Sequence, residues 1–384
     1  MPKHEIRVHT LVRVDGRPIT DNKNEIRAFM TVRDEISRLP HTIEHHRKLG
    51  VTRFFVVDNG SSDGCKEFLL AQPDCHVFTT ANSHSESGYG AEWWNALLNE
   101  YGVGHWCLSI DADEWFVYPG YENRPLTELA AYLERSGAQG MFAFLLDMYG
   151  SGTIADAIAE PERSLLDACR YFDRDYVWRR RFHLPGLQGS DFPPYDVFGG
   201  PRLRMMFPFL YRHYYLLQVM WLAAAYTWLV TGKTPLPPAL RRTPTAWKIP
   251  FVRWLPGTRY ENVHTTTPIK LSATTGVLLH FKFLQDFYTR ISAELNRKEQ
   301  RASGVWAEEL GRYRAKLQQN PAFSFRYPGS VEYEGSEQLV RLGLLKEDEI
   351  WKHLRGTADT ATWVPTAEFG ARLLSQPIRR DRVR

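Results

Sequence analysis

Short apolar runs alternate with amphipathic stretches over the first 110 residues, and this alternation restricts the fold more than any other feature of the chain. Ile26-Arg27-Ala28-Phe29-Met30-Thr31-Val32 predicts a first strand. Ile36, Leu39, Ile43 and Leu49 stand roughly at helical spacing, and Gly50 follows where a left-handed C-cap is common, so a helix is predicted over about 36–49. Residues 53–57 form a short apolar run of the kind buried in parallel sheets. A turn-rich loop, Asp58-Asn59-Gly60-Ser61-Ser62-Asp63-Gly64, comes next. A helix over Cys65–Ala71, a strand at 76–79, a helix at 89–101 and a buried strand at 106–110 then follow. This order predicts a doubly wound α/β fold, with a mostly parallel central sheet flanked by helices. Ligands bind such sheets beyond the carboxyl ends of the strands. Polar clusters stand at three of those ends: Arg33/Asp34/Glu35, Asp58/Asn59/Asp63 and Asp111/Asp113/Glu114.

Composition excludes some functions. The chain has 384 residues, 43% hydrophobic and 24% charged, which suits a packed globular protein and not a disordered one. A formal charge of +4, from 48 basic against 44 acidic residues, is too mild for a nucleic-acid partner. The basic excess is partly local, in Arg379, Arg380, Arg382 and Arg384. That tail reads as a solvated terminus or as an attraction to anionic lipid. Cys65, Cys75, Cys107 and Cys169 form no C-x-x-C pair, so neither a zinc ribbon nor a redox dithiol is indicated. Met1-Pro2-Lys3-His4-Glu5 leads into charged residues and carries no signal-peptide pattern.

One uncharged run stands out later, at 214–230, from Tyr214 to Val230, with aromatic residues at both ends. It is at the short limit for a bilayer span, which needs roughly 17–25 residues. Two readings stay open: a buried helix, or a re-entrant or in-plane helix that contacts the membrane peripherally. A single full span is disfavoured, because it would put Arg202 and His280 on opposite sides.

Asp111-Ala112-Asp113 follows a buried strand directly. Two carboxylates on such a turn can serve a hard divalent cation that leaves positions free for phosphate oxygens. Asp58, also at a strand end, is a natural acceptor for nucleoside hydroxyls or a base edge. The loop from Ser61 to Gly64 is equally readable as a helix-capping turn. No G-x-G-x-x-G and no P-loop is present, which disfavours a dinucleotide or ATP-type cradle. At His280 a neutral imidazole is a good further ligand for manganese, and Lys282 on the same strand face could contact phosphate.

The stretches Val32-Arg33-Asp34-Glu35, His45-His46-Arg47-Lys48-Leu49-Gly50-Val51, Phe55-Val56-Val57-Asp58-Asn59-Gly60-Ser61-Ser62-Asp63-Gly64 and Ser109-Ile110-Asp111-Ala112-Asp113-Glu114 together resemble glycosyltransferase family 2. More narrowly they resemble a bacterial branch with DN-x-S-x-DG and D-A-D-E motifs. The likeness is clear over about 24–150 and looser through Gly199-Gly200-Pro201-Arg202 and Leu278-Leu279-His280-Phe281-Lys282-Phe283. It implies a GT-A fold, Rossmann-like, with a C-terminal helical extension. It implies nucleotide-sugar contacts at Arg33, Asp34, Glu35, Asp58, Asn59, Asp63, Asp111 and Lys282, and a divalent cation, Mn2+ or Mg2+, at Asp111, Asp113 and His280.

An inverting transferase also needs a carboxylate within reach of the acceptor hydroxyl. Asp147 at the end of an apolar run is the first choice, Asp196 the second and Asp173 the third. Gly200 could allow close backbone approach to a ligand, and Arg202 could bind phosphate or a sugar carboxylate. No Q-x-x-R-W signature is present, which argues against a processive polymerase. The expected organisation is a nucleotide-sugar half at 1–150, an acceptor half at 151–290 with an apolar insert at about 207–240, and a helical extension at 291–384. The expected function is transfer of a sugar from a nucleoside diphosphate donor, UDP-linked by preference, to a glycan or lipid-linked acceptor. The expected place is the cytoplasm, with peripheral contact to the inner face of the membrane. A sugar-phosphate nucleotidyltransferase and an inactive nucleotide-sugar-binding protein are the alternatives.

Overall fold

A computed structural model describes residues 11–180, 192–206, 246–296 and 304–356, with isolated positions between 208 and 231. Most of the apolar run 214–230 and the arginine tail lie outside the described residues.

In chain order the first half contains β1 (Val12–Arg13), β2 (Ile26–Val32), α1 (Leu39–Lys48), β3 (Val51–Asp58), α2 (Cys65–Ala71), β4 (Cys75–Thr79), α3 (Ala91–Tyr101), β5 (Trp106–Ser109), β6 (Glu114–Val117), α4 (Leu126–Arg135) and β7 (Gly140–Tyr149). Next come α5 (Leu165–Ala168), β8 (Tyr171–Asp173), β9 (Tyr176–Arg180), β10 (Tyr195–Gly199), α6 (Gly200–Met206), β11 (Trp247–Arg253), β12 (Tyr260–Asn262), β13 (Thr265–Thr266) and β14 (Gly276–His280). The chain continues with α7 (Phe287–Asn296), α8 (Gly304–Gln319), β15 (Ser330–Glu332), α9 (Ser336–Arg341) and α10 (Glu349–Gly356).

The main sheet has the strand order β1-β4-β3-β2-β5-β11-β7-β14-β6. Strands β4, β3, β2 and β5 pair in parallel, as do β7 and β14. β11 is antiparallel to both β5 and β7, so the two parallel sets point the same way. The sheet is therefore mixed but mostly parallel, as the alternation of the sequence predicts. β8 and β15 extend it antiparallel from β7.

The period-two rule of strands explains how the core divides. Ile26, Ala28, Met30 and Val32 of β2 face the cluster that holds Leu39 and Ile43 of α1 and Leu126, Leu129 and Leu133 of α4. Phe29 of β2 and Phe55 and Val57 of β3 face the opposite cluster, where Trp93, Trp94, Leu97 and Leu98 of α3 pack. Helices thus cover both faces, and both faces of the central strands are apolar. The residues beyond 291 do more than append helices. Trp351 of α10 joins the first cluster, and Leu310 and Tyr313 of α8 pack on Phe283 and Phe287. Among the described residues no helix is long and apolar enough to cross a membrane.

Candidate active site

The parallel strands carry their carboxyl ends to one edge, and the predicted polar clusters meet there. The register places Val32 beside Asp58, and Asn59 donates its backbone N–H to Val32 O at 3.0 Å. Ile110 N donates to Phe29 O at 3.2 Å, which sets Asp111 next to the end of β2. Two loops are then tied together. Asp34 adopts a left-handed conformation with φ 55°, unusual for a non-glycine residue. Its own N–H reaches Ser61 Oγ at 3.1 Å, and its carboxylate accepts from Ser62 N at 2.8 Å. Asp63 accepts from Ile36 N at 2.8 Å and from Cys65 N at 3.1 Å, so it links the same two loops. The buried carboxylate of Asp58 accepts from Ser61 N at 3.3 Å. Asp34, Asp58 and Asp63 are thereby engaged in shaping the loops.

The loop after β5 is fixed by α1. Thr42 Oγ1 donates to Ala112 O at 2.6 Å and accepts from Trp115 Nε1 at 3.2 Å. His46 accepts from Phe116 N through Nε2 at 3.1 Å and donates through Nδ1 to Thr42 O at 2.8 Å. Burial holds His46 well below the ordinary histidine range, which keeps it in the neutral form this double role requires. His45 stacks on Trp115, with ring centroids 4.5 Å apart.

The two aspartates of the D-x-D motif face different partners. Asp113 Oδ2 lies 3.4 Å from His280 Nε2. The other ring nitrogen, Nδ1, is 2.6 Å from Asp147 Oδ1, and Arg202 Nη2 lies 3.1 Å from that nitrogen. Arg202 Nε stands 3.1 Å from Asp147 Oδ2. Asp113, His280, Asp147 and Arg202 form one buried chain of alternating charge. Burial pulls the His280 pKa down, but Asp113 and Asp147 outweigh it and raise it to about 9. Burial raises the Asp147 carboxyl, yet Arg202 and His280 bring it to about 2. A carboxylate held so low and so enclosed is a weak base, and its geometry suits it to orienting His280.

Asp111 instead accepts from Lys248 Nζ at 2.5 Å. Lys248 also reaches Glu114, at 2.7 Å to Oε1 and 2.9 Å to Oε2, and Glu114 Oε2 accepts Asp111 N at 3.0 Å. Burial pushes Glu114 up to about 7 against the pull of Lys248. Glu35 sits half-buried between Arg38 and Arg290, both ion-paired to it. Burial pushes its carboxyl up to about 7 against Arg290 and Arg38, with Asp113 and Asp286 adding to the rise. Arg38 itself grips Asp286 with two nitrogens, at 2.6 and 2.7 Å, and donates to Phe281 O at 2.9 Å.

Lys282 stands 3.4 Å from Glu309 Oε1 and over the rings of Phe287 and Tyr313, so α8 holds it. Asp196 lies on β10 opposite Arg179, and none of the described contacts joins it to Asp113 or His280. Asp173 accepts from Tyr149 and Arg204, a network apart from His280. Gly200 has φ +70°, and a Cβ there would overlap the ring and hydroxyl of Tyr176. The close backbone approach expected at this glycine is therefore made to Tyr176. Gly200→Ala is expected to lower stability by about 2 kcal/mol or more in urea denaturation, from strain and overpacking together.

Several polar atoms at the strand edge are buried without a hydrogen-bond partner. They include Thr31 Oγ1, Arg33 Nε, Asn59 Oδ1 and Trp93 Nε1. Thr31 Oγ1 lies against Gly90, as does His84. Between Gly88 and Gly90, Tyr89 is held at φ 60°, a second strained non-glycine residue at this edge. Buried polar groups are normally paired, and the carboxyl ends of the parallel strands are where α/β sheets bind ligands.

Lys248, Arg38, Arg290 and Glu309 were not among the residues expected from the sequence. Lys248 left a signal, a single cation inside the otherwise apolar run 247–252. Arg290 and Glu309 sit on helices and Arg38 on the turn before α1, where a charge reads as solvated.

No family model matches the chain, and no curated protein does. Among solved structures it is similar to S. aureus TarS 1-349, at 17% identity and a TM-score of 0.25, over 33% of this chain and 35% of that one. It is also similar to UTP-bound UGPase from Acinetobacter baumannii, at 7% identity and a TM-score of 0.24, over 34% of this chain and 59% of that one. The chain spans about a third of the length of the first and less than two thirds of the second.

Proposed function

We propose that the chain is an inverting glycosyltransferase that moves a sugar from a nucleoside diphosphate donor, read as UDP-linked, to a hydroxyl of a glycan or lipid-linked acceptor. The observation that carries this reading is the set of unpartnered polar atoms of Thr31, Arg33, Asn59 and Trp93 at the strand edge. These offer donors and an acceptor to a nucleoside. The edge also brings Asp111 close to the end of β2, and Asp113 meets His280 at 3.4 Å.

The residues fit a divalent cation. Ligands about 2.1 Å from an octahedral ion lie about 3 Å from each other, close to the separation of Asp113 Oδ2 and His280 Nε2. Asp147 on the far nitrogen of His280 is the usual partner that orients a metal-bound imidazole. Among the described residues no group of three or more His, Cys, Asp or Glu side chains could hold an ion. Two protein ligands with phosphate and water completing the shell is the pattern of magnesium-type sites. Such an ion neutralises the diphosphate leaving group. The protein's own part is then to orient Asp113 through the Thr42–Ala112 bond, to hold His280 through Asp147, and to balance Asp147 with Arg202.

A donor screen read by nucleoside diphosphate release, with Mn2+ or Mg2+ present, tests the reading. Release of UDP or GDP from a sugar donor is expected. Release of pyrophosphate would point to a nucleotidyltransferase instead. Asp147→Asn separates its two candidate roles. As a positioning residue it is expected to weaken Mn2+ binding about 10- to 100-fold. A large fall in kcat with Mn2+ affinity unchanged would make it the acceptor's base. Peripheral membrane contact through 214–230 belongs to the same proposal. Helical Val219, Tyr226 and Val230 there are exposed. Extraction from membranes should need detergent, and release by salt alone would exclude the contact.

A further inference from the structure

We propose that Lys248 is a positioning residue of this site: an internal cation that holds the Asp111 carboxylate away from the divalent ion, leaving Asp113 and His280 as its protein ligands. The inference rests on the metal-assisted reading above and assigns a part to a residue outside the D-x-D motif.

The geometry is specific. Lys248 is 2% exposed and lies on β11, the antiparallel strand inserted between β5 and β7. Its ammonium reaches Asp111 Oδ2 at 2.5 Å and both oxygens of Glu114, and it stands 5.9 Å from the centre of the Trp94 ring. Glu114 in turn holds the Asp111 backbone N–H, so the lysine and the turn are locked as one unit. A regular strand would run on past this point, but the β11–β7 register shifts between Lys248 and Phe251, which follow either side of Ile249-Pro250. Asp113, two residues from Asp111, has no contact with Lys248 among the described ion pairs and turns to His280. The cation therefore splits the two aspartates. Asp111 keeps a 43% exposed side chain, and is left to face hydroxyl groups of a donor. Only the Lys248–Glu114 side of this pairing is buried, and a buried ion pair is weak evidence of stability.

Mn2+ binding without nucleotide, measured by calorimetry or by the free-ion EPR signal, tests the assignment. If Lys248 keeps Asp111 off the ion, Asp111→Asn leaves the Mn2+ affinity within about twofold of wild type, whereas Asp113→Asn weakens it at least about tenfold. Lys248→Met frees a carboxylate and tightens Mn2+ binding about fivefold or more, and the double variant Lys248→Met/Asp111→Asn returns to the wild-type value. Asp111→Asn weakening Mn2+ binding as much as Asp113→Asn overturns the inference, and so does a folded Lys248→Met protein with unchanged affinity. Should Lys248→Met fail to fold, Lys248→Gln, which keeps a polar end without the charge, takes its place in the same comparison with the same expected and contradicting results. Wild type that binds Mn2+ while these comparisons fail removes only the role of Lys248. Wild type that binds no Mn2+ removes the metal-assisted reading with it.

Discussion

Replacement of His280 by alanine is expected to reduce sugar transfer by about a hundredfold or more at saturating donor. The imidazole is the shared element between Asp113 and Asp147, at 3.4 and 2.6 Å. Its loss removes one protein ligand of the proposed ion and the group that joins Asp113 to Asp147, leaving Asp147 with Arg202 alone. Single-turnover and steady-state rates with Mn2+ check this. The metal-free protein gives an independent readout. His280 is raised from the ordinary 6.5 to about 9 by Asp113 and Asp147, against its burial. A raised basic group stabilises the fold fully below its unfolded pKa, and that contribution is lost as pH rises through the folded one. In EDTA, the melting temperature of wild type should therefore fall between pH 6.5 and about 9. His280→Gln should melt lower at pH 6.5 and show a flatter profile.

Arg202→Met is expected to cost about 3–5 kcal/mol in equilibrium urea unfolding, the range for removing one partner of a buried ion pair. Arg202 is 8% exposed and pairs with Asp147 at 3.1 Å. Without it Asp147 depends on His280 alone, and the carboxyl now held at about 2 by Arg202 and His280 rises. Because that pKa is depressed in the folded state, its contribution is present above the ordinary carboxylate range and fades as pH falls through about 2. The difference between wild type and Arg202→Met should therefore narrow in acid. Arg202→Lys keeps the charge but loses the planar fork, so an intermediate loss is expected.

The strand-and-helix alternation was legible because both periodicities are strong in the first 110 residues. Ile26–Val32 and Cys65–Ala71 have the predicted bounds, and the helix expected over 36–49 starts later, at Leu39. Residues 36–38 are used instead to receive Asp63 and to send Arg38 to Asp286. Parallel pairing places strand ends side by side, so Arg33, Asp58 and Asp111 could be grouped from order alone. What spacing could not reveal is which partner each side chain takes. Arg202 reads as a candidate ligand for phosphate or a sugar carboxylate, yet it is buried against Asp147, 55 positions earlier in the chain. Lys282 reads as a candidate phosphate contact, yet α8 brings Glu309 to it. Such pairings depend on how β7, β14 and the later helices stack, and no local pattern encodes that.

Calorimetric titration of UDP into the Mn2+-loaded protein, with Arg33→Met and Asn59→Ala alongside wild type, examines the nucleotide edge itself. Saturable binding by wild type is predicted, weakened about tenfold by either substitution, since each removes a buried polar atom that the nucleoside would satisfy. No binding of UDP by the wild-type protein, or binding that both substitutions leave unchanged, would contradict the account.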